Sequence, residues 1–338
     1  MHIRALHRPI ARLGTLQPGA YRYCYRGFHA TGAATAPTVD MAYNLHRPPT
    51  GGDDKREPII FMHGLFGSKA NNRGISKAFA KELNRCVYAL DLRNHGDSPH
   101  AQSHTYPAMA EDVEQFIRDH ALENPTLIGH SMYTAPTLTG KKERKEQPAN
   151  QFVHSHTHRG AKVAMSVALR SPSLLQDIVV VDNAPVSAQL GRQFGLYAQA
   201  MARIEATPIV NAKEADDILA AYEPVVEIRQ FLLTNLLKPT PENDRFRWRV
   251  PVRVLSEALD AIADFPFTPG AGPGFTKPAL FVRGTKSKYV ADETIPLIGE
   301  FFPRFQLRDV EAGHWVTSEN PEGFKKVCLE FFRREKDE

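Results

Sequence analysis

Residues 125–132 read Pro-Thr-Leu-Ile-Gly-His-Ser-Met, a short apolar run ending in Gly129, His130, Ser131 and Met132. These fill four of the five positions of a G-x-S-x-G turn, where a strand runs sharply into a helix and a serine oxygen sits at the tip. The fifth position calls for glycine, because the backbone passes close to its neighbours there. Here it is Tyr133. Residues 160–165 read Gly-Ala-Lys-Val-Ala-Met, the continuation that the turn lacks. Joining Met132 to Gly160 restores a strand, a turn and the start of a helix.

The 27-residue interval 133–159 carries Lys141, Lys142, Glu143, Arg144, Lys145 and Glu146, then His154, His156 and His158. It shows neither helical nor strand periodicity, and an unstructured stretch of this length is out of place in a compact domain. Its codons permit an intron. Met132 and Tyr133 can be split as AT|GTAY, which makes a GT donor. His158 and Arg159 can be split as CAY-AG|G, which makes an AG acceptor. Residues 149–151 can encode the branch-point sequence CTAAC. Excision restores Met132 followed by Gly160. We read the interval as a retained intron, an unstructured insertion. We expect the chain that contains it to be less stable and largely inactive, with the helix behind Ser131 displaced. The rival reading is a metal site of alternating histidines, but no cysteine or acid stands at useful spacing. No metal or cofactor is expected.

Composition narrows the remaining choices. A chain of 338 residues that is 42% hydrophobic has room for one sizeable α/β domain with a cap. No run of about 18 apolar residues occurs, so no transmembrane segment is expected. Cys24, Cys86 and Cys328 are scattered, which points to a reducing compartment without a disulfide framework. The net charge of +4 is unevenly distributed. Arg4, Arg8, Arg12, Arg22 and Arg26 precede the first acid, Asp40. Removing those five charges and the interval's net +3 leaves a body of −4. That balance excludes a nucleic-acid partner, which needs clustered basic surface on the folded domain. The Arg-containing, acid-free residues 1–37 read as a disordered mitochondrial transit peptide, addressing the chain to the matrix.

The folded domain is expected over residues 38–338. Strands are predicted at 39–45, 58–62, 86–90, 126–128, 178–181, 280–282 and 306–310. Helices are predicted at 75–83, 109–120, 161–169 and 324–334, from apolar spacing such as Val113, Phe116 and Ile117. Strands alternating with helices imply an α/β fold, a mostly parallel central sheet flanked by helices. The amphipathic, helix-rich stretch 187–255 interrupts the alternation and reads as a helical cap.

The chemistry follows from position. Ser131 is the predicted nucleophile, and a serine hydroxyl needs an adjacent base at neutral pH. His314, in Gly313-His314-Trp315 just beyond the last predicted strand, is the predicted base. The acid is expected in a loop at the same edge. The loop 285–289 offers no carboxylate, so Asp182, directly after residues 178–181, takes that role, with Asp292 as fallback. The backbone N–H groups of Leu65 and Met132 are the expected oxyanion donors, the first from the turn His63-Gly-Leu-Phe-Gly-Ser68.

These motifs, with Asp91-Leu-Arg-Asn-His-Gly-Asp-Ser-Pro99 and Val181-Asp-Asn-Ala-Pro185, together resemble one α/β-hydrolase family. It includes mitochondrial abhydrolase-domain proteins, bacterial short-chain esterases and yeast ethanol acetyltransferases. The resemblance covers residues 38–335 outside the interval. It implies the α/β-hydrolase fold and a triad of Ser131, Asp182 and His314. It also implies esterase, thioesterase or alcohol acetyltransferase activity in mitochondria. The expected substrate is a small-molecule ester or acyl-CoA, with water or a small alcohol such as ethanol as acceptor. The rival functions are an acyl-CoA or acyl-protein thioesterase, and a non-catalytic binding protein of this fold. The intron reading is tested by sequencing the transcript: the mature message should join the codons of Met132 and Gly160. A mature message that keeps residues 133–159 contradicts it.

Overall fold

The computed structural model describes residues 36–49, 51, 57–130, 160–187, 192–272 and 274–334. The predicted transit segment, apart from residues 36 and 37, the interval 133–159 and the residues Ser131 and Met132 lie outside that set.

The first half of the chain runs β1 (Tyr43–His46), β2 (Ile59–Met62), α1 (Arg73–Leu83), β3 (Val87–Leu90), α2 (Tyr106–Asp119), β4 (Thr126–His130), α3 (Gly160–Arg170) and β5 (Ile178–Val181). A second layer follows, with α4 (Arg192–Ala206), α5 (Ala212–Ala220), α6 (Val226–Leu233), β6 (Leu236–Leu237), β7 (Arg247–Trp248), α7 (Val252–Glu257) and α8 (Leu259–Ala263). The chain then returns through β8 (Ala279–Gly284), α9 (Ile295–Phe301), β9 (Phe305–Val310), α10 (Val316–Glu319) and α11 (Pro321–Arg334).

Strands β2, β3 and β5 are short, unbroken apolar runs, and every residue of β2 to β5 is buried. Such runs form strands covered on both faces, the signature of a parallel sheet. The sheet order is β1-β3-β2-β4-β5-β8-β9, with only β1 antiparallel to its neighbour. Side chains alternate between its two faces. Ile60 and Met62 join Val113 and Phe116 of α2, Val163 and Met165 of α3, and Ile298 of α9. Ile59 and Phe61 join Phe79 of α1 and Phe324, Cys328 and Phe332 of α11. The helices between β5 and β8 build a separate apolar cluster around Phe194, Tyr197, Met201, Leu219, Leu232 and Trp248, which takes in Leu65 and Phe66 from the sheet edge.

Strands β3 and β4 pair on opposite sides of β2. The loops that leave β2 and β4 therefore diverge from adjacent strand ends. A crevice at the carboxyl ends of strands, at such a switch point, is where open α/β sheets bind ligands.

Element boundaries shift from the sequence reading for local reasons. Strand β1 starts at Tyr43 rather than residue 39, because side chains already hold the preceding backbone. Val39 N–H donates to Asp112 Oδ1 at 2.9 Å and Ala42 N–H to Ser98 Oγ at 2.9 Å. Helix α2 starts at Tyr106 rather than residue 109, because Thr105 caps it by accepting from Ala108 N–H and a proline stands in its first turn. Strand β4 continues through Gly129 and His130, which pair with Val180 and Val181. Among the described residues, no helix is long and apolar enough to cross a membrane.

Candidate active site

Asp182 follows β5 and adopts a left-handed backbone, φ 51°. Its N–H donates to Val282 O at 2.7 Å, so the turn is tied to β8. The buried carboxylate then accepts three hydrogen bonds. Gly284 N–H donates to Oδ1 at 3.0 Å, and Ser287 Oγ donates to Oδ2 at 2.5 Å. His314 Nδ1 donates to Oδ2, also at 2.5 Å. These three donors occupy the lone pairs of a carboxylate held out of water.

His314 is itself buried, only 4% exposed. The turn that carries it is tied down from both sides. Glu319 accepts from Gly313 N–H at 2.6 Å and from Trp315 N–H at 3.2 Å. Thr285 and Lys286 N–H donate to the carbonyls of Val310 and Ala312, both at 2.9 Å, so the loop after β8 is zipped onto the approach to His314. The ring of Tyr289, from the same loop, stacks on the imidazole with centroids 3.8 Å apart. Asp292, the fallback acid, has no part in this. Its side chain is 82% exposed and pairs with Arg283.

The loop after β2 is fixed by His63. Its Nε2 accepts from Leu92 N–H at 3.0 Å, which leaves Nδ1 protonated and donating to Gly64 O at 2.7 Å. Phe66 takes a left-handed φ of 58°. Asn235 Nδ2 donates to Phe66 O at 2.8 Å, pinning this loop to the helical layer. Leu65 is buried in that layer's apolar cluster.

Gly129 and Gly160 meet where β4 ends and α3 begins. A methyl group on Gly129 would lie 2.2 Å from Gly160 O, and one on Gly160 would lie 2.6–2.8 Å from the carbonyl oxygens of His63, Met62 and His130. Any side chain at either position collides with main chain. The same contacts place the Cα atoms of His130 and Gly160 within about 7 Å, the span of residues i and i+3 in a tight turn, where adjacent Cα atoms are about 3.8 Å apart. Two residues are enough to close that gap. Ser131 and Met132 lie outside the described residues, so the predicted nucleophile and the second predicted oxyanion donor are placed only by their attachment to His130.

Two groups escaped the sequence reading because their signal is burial, which no motif displays. Lys162, in α3, donates from Nζ to the carbonyls of Ala263 and Asp264, each at 3.2 Å, where α8 ends. Burial drives its pKa down to about 7, with Asp264 opposing the shift. His130 sits with its ring centroid 6.4 Å from that of His314, and Thr317 Oγ1 lies 3.2 Å from its Nδ1. Burial drives the His130 imidazole down to about 3, and neighbouring His314 adds to the effect.

A parallel sheet with Asp182 and His314 bonded at its carboxyl edge, beside the close meeting of β4 and α3, defines an α/β hydrolase. A family described as alpha/beta hydrolase fold matches residues 57–135. A probable alcohol acetyltransferase of Saccharomyces cerevisiae is 39% identical, over 88% of this chain and 85% of its own. The sn-1-specific diacylglycerol lipase ABHD11 of Xenopus laevis is 34% identical, over 98% of this chain and 93% of its own. Among solved structures, a marine microorganism esterase superposes with a TM-score of 0.71 at 28% identity, covering 87% of this chain and all of that one. The chain belongs to the abhydrolase-domain and alcohol acetyltransferase family, and is an enzyme of the esterase or acyltransferase kind.

The His130 environment predicts a pH dependence. The unfolded chain takes up a proton at this histidine below about pH 6.5, and the folded chain refuses it until about pH 3. The stability that neutral His130 confers is fully present above pH 6.5 and is lost as pH falls toward 3. The loss is about 2–3 kcal/mol by pH 4.5. Urea denaturation at stepped pH should show a shallower acid decline for His130→Asn than for the parent. Equal slopes contradict the assignment.

Proposed function

We propose that the chain is a serine hydrolase or acyltransferase in which Ser131 forms the acyl-enzyme. The observation that carries this reading is the 2.5 Å bond from His314 to Asp182, one strand away from the residue that immediately precedes Ser131. Asp182 fixes the imidazole with Nδ1 protonated, so Nε2 is the basic nitrogen. Ser131 Oγ attacks the carbonyl carbon of an ester or thioester and its proton passes to His314. The tetrahedral oxyanion takes hydrogen bonds from the N–H groups of Leu65 and Met132. The leaving alcohol or thiol departs with the proton from His314. Water or a small alcohol then gives its proton to His314, attacks the acyl group and releases Ser131.

The substrate class is a short-chain ester or acyl thioester. The name of the yeast relative, a probable alcohol acetyltransferase, supports the case of acetyl-CoA giving its acetyl group to ethanol. Exclusion of water by the helices over the sheet edge would decide between hydrolysis and alcoholysis. We place the protein in the mitochondrial matrix, on the acid-free, arginine-bearing residues that precede Asp40. The fit of two residues between His130 and Gly160 supports the view that the working enzyme lacks residues 133–159.

A fluorophosphonate probe tests this on the full chain and on a chain lacking residues 133–159. The shorter form should label strongly and the full chain weakly. Ser131→Ala should abolish labelling, and Asp182→Asn should slow it by about a thousandfold or more. A folded shorter form that does not label points instead to a non-catalytic binding protein. Equal labelling of both forms contradicts the account of the insertion.

A further inference from the structure

The loop after β8 has no carboxylate, yet it contributes two side chains to the Asp182–His314 pair. Ser287 reaches Asp182. Tyr289 reaches His314 itself, with its ring 29° from parallel to the imidazole and centroids 3.8 Å apart. Its place is set by neighbours already in the network. Tyr289 N–H donates to Ser287 Oγ at 3.3 Å, and that oxygen donates to Asp182 Oδ2. One chain of contacts therefore runs from the Asp182 carboxylate to the Tyr289 backbone, and the Tyr289 ring then covers a face of His314.

The bond to Asp182 holds Nδ1, and because the torsion that sets the ring plane is broad, the plane can still tilt within the tolerance of that bond. Nε2 lies on the far side of the ring, so a small pivot swings it through a large arc. A plane stacked on the imidazole removes the pivot.

We propose that Tyr289 is a positioning residue: its ring, stacked on His314, holds the imidazole plane and shields the Nδ1–H···Asp182 bond from water. Its consequence for turnover rests on the serine-enzyme reading above, whereas its effect on the histidine does not. The test therefore reads His314 directly. In the full chain, the low-field proton resonance of the His314–Asp182 bond is followed in the parent and in Tyr289→Phe, Tyr289→Leu and Tyr289→Met. Tyr289 is half-buried in a loop, and two apolar replacements guard against one that fails to fold.

The phenylalanine variant, which keeps the ring, should retain the parent's solvent-exchange rate. The leucine and methionine variants should exchange at least tenfold faster, or lose the signal. In whichever form of the chain Ser131 labels, kcat should fall about tenfold in the leucine and methionine variants with KM unchanged. Tyr289→Phe should restore it. Parent-like exchange in the leucine and methionine variants overturns the proposal, as does equally fast exchange in the phenylalanine variant, which would assign the effect to the hydroxyl. Failure of Ser131 to label, with the exchange pattern as predicted, removes the catalytic reading and leaves the positioning role standing.

Discussion

The buried Asp182 carboxylate is the constraint on which the site depends. It stands at the end of β5 and gathers β8, the loop after β8 and the turn after β9 through Gly284, Ser287 and His314. An unpaired charge there would be costly. The surrounding structure therefore brings three donors to it, and one of those donors is the imidazole of His314, the proposed base. The left-handed backbone of Asp182 is the local strain that aims the side chain across two strands. On the proposed mechanism stability and function act through the same hydrogen bonds, so loss of the carboxylate would loosen the histidine turn as well as its chemistry.

A second constraint is steric. Glycines at 129 and 160 let α3 start against the ends of β2 and β4, with carbonyl oxygens where any Cβ would sit. This contact seats α3 against the ends of β2 and β4 in the chain that carries the 27 residues, so the displacement of this helix expected from the sequence does not occur. It also bears on the 27 residues at 133–159. The described chain on either side comes close enough for two residues to span, which supports the proposal that the working enzyme lacks residues 133–159. Gly129 and His130 at the end of β4 and Gly160 and Ala161 at the start of α3 lie against each other although 29 residues of chain separate them.

Much of this was legible in the residues, for identifiable reasons. Strands β2, β3 and β5 announce themselves because strands covered on both faces need unbroken apolar runs. Asp182 and His314 could be picked because each follows a strand at the sheet's carboxyl edge. The start of β1 was misplaced because side chains of Asp112 and Ser98, distant in sequence, pair the backbone before it. The end of β4 was cut short because Gly129 and His130 carry no apolar signal. Strands β6 and β7 are two residues each, too short for any periodicity. Ser287 and Tyr289 give no signal in the sequence, because what the loop contributes is a hydroxyl and a ring and not an acid. His130 and Lys162 owe their character to burial.

The central claim is that one serine, directly after β4, carries the acyl group. Rapid quenching of the chain lacking residues 133–159 during turnover of an activated acetate ester, followed by peptide mapping, tests it. The account predicts a single acetylated peptide, with the modification on Ser131, that disappears in His314→Ala. Acetyl groups spread over other nucleophiles, or none on Ser131 while ester is consumed, would contradict it.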